Sequence, residues 1–199
     1  MKNLLVLLLV FYITKSFCQT KPDSTEILSY YDTIVYYSEF TKSRCDLKKY
    51  DKDIKIYMKG ENIDFMNEEL VRIVSDLNEL ISSVNVTISK DSNDYNLLVF
   101  LGSREEFYKE TRNKVRESAV GFFVIFWDIY GIFLSKSFVD TERIKNPQFM
   151  KHTLREEITQ CMGFTNDTYQ YKNSIFYDGF STVTEFSDLD KEIIKLHYK

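Results

Sequence analysis

The chain of 199 residues carries 30 acidic and 26 basic side chains for a net charge of −4, and no basic block, which argues against nucleic acid as a partner. Sixteen Phe and fourteen Tyr against two Pro and six Gly describe a folded chain rich in sheet formers, not a disordered one. A chain of this length suits one domain with a continuous core.

Lys2, the apolar run Leu4 to Ile13 and the polar, small stretch Thr14 to Cys18 have the three parts of a cleavable export signal. The run is too short to span a bilayer, which takes about 20 apolar residues, so no permanent membrane anchor is expected. Ser16 and Cys18 suit the −3 and −1 subsites of a signal peptidase, and the cut is expected before Gln19. Bulky Phe17 before Cys18 disfavours a lipid-anchored product. Residues 1–18 are thus read as signal, and the protein as secreted or periplasmic. Removing eighteen residues from 199 leaves 181, and losing Lys2 and Lys15 takes the net charge to −6.

Residues 19–50 read as an extension, with Thr25 to Phe40 open to helix or extended edge, and 51–199 as a single domain. Ile54, Ile56 and Met58 alternate with polar residues up to Gly60, a half-buried strand. Phe65, Leu70, Ile73, Leu77 and Leu80 recur at helical spacing, with Asp64 placed to cap the first turn. Val84, Val86 and Ile88 form a second strand, and Tyr95 to Leu101 a central one. Ser103 with Glu106 is a capping box for a short helix. Val120 to Trp127 and Ile129 to Phe138 form an apolar hairpin.

Asn146, Pro147 and Gly163 bracket a helix from Gln148 to Met162. Its buried stripe is Met150, Leu154, Ile158 and Cys161; His152, Glu156 and Gln160 line the opposite face, and Glu157 lies between. Ser187 to Asp190 caps a terminal helix, at whose end His197 reads as a surface histidine. Cys45 and Cys161 are either one bridge or two thiols. The fold class is α+β: a mixed sheet packed with helices, followed by a small helical C-terminal part.

Glu156-Glu157-Ile158-Thr159-Gln160-Cys161-Met162-Gly163, then Ser174-Ile175-Phe176, then Ser187-Asp188-Leu189-Asp190 together resemble the DUF2927 family of exported bacterial proteins. That family is in turn similar to the C-terminal half of metzincin-like zinc peptidases, and the resemblance implies a metallopeptidase-like architecture. Carried over by position, it puts Glu156, Gln160 and Asn166 at the metal-ligand places and Glu157 at that of the general base. None of the three ligand places holds a histidine, whereas zinc hydrolysis needs imidazoles that leave one site open for water. Oxygen donors such as these suit a harder ion.

The same residues have plainer readings. His152 and Glu156 form an i,i+4 pair, which is ordinarily a side-chain contact, and Glu157 is expected to accept from an arginine or a backbone amide. Asn166-Asp167 reads as a loop turn satisfying backbone donors. The expected function is therefore an exported, non-catalytic binding or structural protein on a peptidase-like scaffold, a pseudoenzyme whose cleft beside the hairpin holds an extended peptide or protein. No cofactor is expected. The alternative is a metal-dependent peptidase or hydrolase, with zinc or another divalent metal on this atypical ligand set and Glu157 as base.

Overall fold

The computed structural model describes residues 22–199, so the export signal and its cut before Gln19 lie outside the described residues. Five helices, α1 (Ser24–Val35), α2 (Asp64–Leu80), α3 (Arg104–Thr111), α4 (Pro147–Gln160) and α5 (Asp188–His197), surround five strands. These are β1 (Ile54–Gly60), β2 (Val86–Ile88), β3 (Leu97–Gly102), β4 (Gly121–Asp128) and β5 (Gly131–Asp140), in the sheet order β2-β1-β3-β5-β4. All neighbours pair in parallel except the β4–β5 hairpin, which makes the sheet mixed and leaves β4 as one edge. The class is α+β, as the hydrophobic patterning implies. Among the described residues no helix is long and apolar enough to cross a membrane.

Every residue of β3 is buried, as its unbroken apolar run requires of a strand covered on both faces. One face of the sheet packs on the main core through Ile54, Ile56, Leu97, Val99 and Phe123. The other holds a small cluster of Phe100, Phe107 and Phe138 beneath α3, whose capping box forms as read from Ser103 and Glu106.

One open alternative is decided and two local expectations change. The segment open to helix or strand is α1, capped by Asp23 accepting from Glu26 N at 2.8 Å. Its Tyr30, Ile34 and Val35 join the same core as the sheet, so packing is continuous across residue 51. Asp64 makes no cap, because it is already the first helical residue and Ile63 occupies the cap position. His197 is not on the surface. It is 1% exposed, Tyr31 and Phe164 cover it, Lys48 O lies 3.0 Å from Nε2, and burial pushes its pKa down to about 4. The two cysteines are free, and Cys161 is fully buried as a small core residue.

Candidate functional site

α4 begins as the sequence dictates: Asn146 accepts from Gln148 N and Phe149 N, and Pro147 fills the first turn, where no donor is needed. It ends at Gly163, whose φ of +108° and approach to Lys48 O leave no room for a Cβ, which would lie 1.8 Å from that oxygen. Between these ends the helix is buried nearly all round. His152, Arg155, Glu157 and Gln160 are each 1–6% exposed and the Glu156 side chain 16%, so most of the expected polar flank is covered. β4 and β5 cover one side, α2 another, and the chain after Gly163, fastened to α1 through Asn166, reaches the rest through Asp167 and Val183.

The three residues at the metal-ligand places turn to different partners. His152 Nδ1 lies 2.7 Å from Val183 O, which fixes the N–H on that nitrogen and leaves Nε2 facing Glu156 Oε2 at 3.6 Å. Burial, then the neighbouring Glu157, holds the Glu156 carboxyl well above the usual range, which favours its acid form opposite the lone-pair nitrogen. Gln160 Nε2 donates to Asp167 Oδ1 at 2.8 Å. Asn166 Nδ2 donates to Thr33 O at 3.0 Å, fastening its loop to α1 instead of entering the site. One weak carboxyl donor and two amides already engaged do not fit zinc. Among the described residues no three His, Cys, Asp or Glu side chains are placed to hold a metal ion.

The site instead gathers carboxyl groups. Asp167 does not serve backbone donors; it hydrogen-bonds Glu39, which two carboxyls can do only by sharing a proton. Glu156 and Asp178 also act on Asp167, and burial first, then these charges, keeps its proton on well above the usual range. Glu157 points into this group. No arginine or amide meets its Oε2, which is buried without a hydrogen-bond partner, and its Oε1 takes the space that a side chain at position 121 would need. Burial, then Glu39 and Asp167, pushes its pKa well up. Glu39 and Asp178 belong to the site but lie in loops without periodicity, so nothing in the sequence pointed to them.

The physical sign of this arrangement is testable. Because folded Glu157 holds its proton more tightly than the unfolded chain does, the unfolded state releases its proton first as pH rises past about 4.3, and stability falls from there until the folded group ionises. Glu157→Gln keeps the shape, removes the ionisation and turns an N–H toward acceptors. It is expected to stabilise the protein at pH 7.5 by about 1–3 kcal/mol, roughly 2–12 °C in melting temperature, with the gain fading toward pH 4.5. Thermal denaturation at both pH values measures this, and a loss at pH 7.5 would mean that the carboxylate is paired.

Beside the cluster runs a groove of about 460 Å³ along the free edge of β4, lined by Phe40, Phe122, Phe123, Ile125 and Trp127. Trp127 is half-exposed, with Lys48 Nζ 4.7 Å from its ring centre. No carboxyl of the cluster lines the groove, although Phe40 and Phe122 on its wall follow Glu39 and Gly121 in the chain, and Thr165 O, at the groove, accepts from Glu39 N at 3.0 Å.

A family model described as "Protein of unknown function (DUF2927)" matches residues 24–199. No curated protein matches the sequence. Among solved structures, two of myroilysin are similar at 8% identity: one covers 76% of this chain and 82% of its own with a TM-score of 0.46, the other 83% and 91% with a TM-score of 0.47. Archaemetzincin from Methanopyrus kandleri is similar at 11% identity, covering 73% of this chain and 95% of its own with a TM-score of 0.43.

Proposed function

Taking as premise that this chain belongs to the DUF2927 family, we propose that it is an exported, non-catalytic protein that holds an extended peptide along β4. The observation that carries this is the pairing of a free strand edge with an apolar groove. An edge strand offers unpaired N–H and C=O groups to an added strand, while the flanking cavity receives alternate side chains. The chemistry of α4 supports a binding role: the general-base position is present, but the amides at two of the metal-ligand places are engaged in hydrogen bonds and burial disfavours ionisation of the Glu156 carboxyl.

Trp127 is the only tryptophan of the chain and stands at the groove, so its emission reports occupancy. Adding extended apolar peptides without tryptophan is expected to change that emission saturably and to leave the peptides intact. Ile125→Glu, which puts a charge on the groove wall, is expected to weaken the response at least tenfold. An unchanged emission across a varied peptide panel would remove the reading.

A second reading, a metal-dependent hydrolase with Glu157 as base, draws on the unpaired Oε2 and raised pKa of Glu157. Elemental analysis of protein purified without added ions decides between them. One equivalent of metal, lost on Glu156→Ala, together with peptide cleavage would establish the hydrolase.

A further inference from the structure

The groove along β4 is apolar except for one charge, that of Lys48, and no carboxylate is among the residues that line it. Lys48 is 8% exposed and lies at the Trp127 end, where its Nζ donates to Asp46 O at 3.0 Å and sits over the indole ring. An ammonium has three donors, and the backbone carbonyl takes one. Among the described residues no carboxylate forms an ion pair with it, whereas the other buried cation, Arg155, has Glu69 at 2.9 Å. The backbone at this point is fixed on both sides. Lys48 O lies 3.0 Å from His197 Nε2 and against Gly163, and Lys49 O accepts from Ile132 N at 2.9 Å. The cation is thus held at the groove by the core, without a counter-charge of its own.

A mostly buried charge without a partner is costly in the free protein, and an anion entering the groove supplies the partner. We propose that the groove selects an extended peptide carrying an aspartate or glutamate, whose carboxylate pairs with Lys48. This rests on the peptide-binding reading and adds the chemistry of the peptide. The pleat of β4 fixes where the acid stands. Phe126 pairs with Leu134 and Trp127 with Ile132, so the extra residue of the bulge is Phe133 on β5 and the alternation of β4 is unbroken. Phe123, Ile125 and Trp127 therefore share one face and all line the groove. A strand added to β4 has the same period of two. Antiparallel addition, the more stable pairing, puts the acid beside Trp127 and Lys48, with apolar side chains two and four residues later beside Ile125 and Phe123. An ion pair against this apolar wall is stronger than one in open solvent.

The test titrates three capped peptides into the full chain, following Trp127 emission and repeating each titration by calorimetry. The first is acetyl-Thr-Glu-Thr-Val-Thr-Phe-Thr-amide, the second has glutamine in place of glutamate, and the third exchanges the glutamate with the threonine that follows it. The glutamate peptide is expected to bind about tenfold more tightly than the glutamine peptide, the size of one charge-assisted hydrogen bond. The exchanged peptide turns its carboxylate to the other face and is expected to bind no better than the glutamine peptide. Lys48→Met, which keeps the buried stem without its charge, is expected to abolish the preference, and Lys48→Arg to retain it. The peptide comparison in the parent protein decides the matter even where Lys48→Met fails to fold. Equal binding of the glutamate and glutamine peptides, or a preference that survives in Lys48→Met, overturns the acid selection while leaving the groove as a peptide site. An exchanged peptide as tight as the first overturns the pairing with Lys48. Absence of binding by all three overturns the peptide-binding reading as well. A saturable response to octanoate with none to the peptides would make the groove a site for a fatty carboxylate, and emission that varies with protein concentration alone would seat a second copy on β4; either overturns the proposal.

Discussion

Replacing Arg155 by methionine is expected to destabilise the protein by about 3–5 kcal/mol, the cost of leaving one member of a buried ion pair without its partner. Arg155 on α4 and Glu69 on α2 are both 1% exposed, with Nη2 2.9 Å from Glu69 Oε1 and Nε 3.3 Å from the same oxygen. Nη1 reaches Asp76 one helical stretch further along α2, and the guanidinium lies over Phe186. The pair therefore clamps the two long helices at the depth of the core. Without the arginine, Glu69 keeps only Arg72, 4.0 Å away and mostly exposed, as a cation. For a domain of this size the loss corresponds to roughly 6–20 °C in melting temperature. The double variant Arg155→Met with Glu69→Leu is expected to recover much of it, since an apolar replacement of a whole buried pair is often neutral. Chemical denaturation of the two single variants and the double one measures the coupling. A single-variant loss below about 1 kcal/mol would show that water or Arg72 already compensates Glu69.

That clamp also marks where sequence reasoning stops. The strands were legible because burial on one face of a sheet writes a period of two into the chain, as at Ile54, Ile56 and Met58, and burial on both faces writes an unbroken run, as in β3. The caps of α3, α4 and α5 were legible because a cap is a local hydrogen bond between residues two or three apart. The cluster around Glu157 has no such spacing. Glu39 comes from the connection after α1, Asp167 and Asp178 from the one between α4 and α5, and they come together only because the chain after Gly163 folds back beside α4. A helical projection can say that His152, Glu156 and Gln160 share a face, but not that another layer covers that face. The same blindness hid Arg155, whose partner lies 86 residues away, and gave His197 to solvent when it belongs to the core.

Asp190→Ala is the second large effect expected, because this fully buried carboxylate is the point where the Ser174-Ile175-Phe176 turn joins α5. Its Oδ1 accepts from Ser174 Oγ at 2.6 Å, and its Oδ2 from Ile175 N at 3.0 Å and Ser187 N at 2.9 Å. Ser174 Oγ in turn accepts from Phe176 N at 2.9 Å and lies 2.5 Å from Tyr30 Oη, so its single proton goes to Asp190 and its lone pairs serve the other two. Alanine leaves one hydroxyl and two backbone amides without acceptors in the core. At about 1–3 kcal/mol for each unsatisfied group, a loss of at least about 3 kcal/mol is expected, enough to unfold a marginal domain. Asp190→Asn should cost far less. Its carbonyl oxygen still serves both amides, and its NH₂ can donate to Ser174 if the Ser174–Tyr30 bond reverses. Tyr30→Phe added to Asp190→Asn is the arm that checks this reversal: it removes the acceptor for Ser174 and is expected to cost more than Tyr30→Phe does in the parent protein. Additive losses in that comparison, or similar losses for the alanine and asparagine variants, would mean that the turn is held by packing of Ile175 and Phe176 rather than by the polar network at the start of α5.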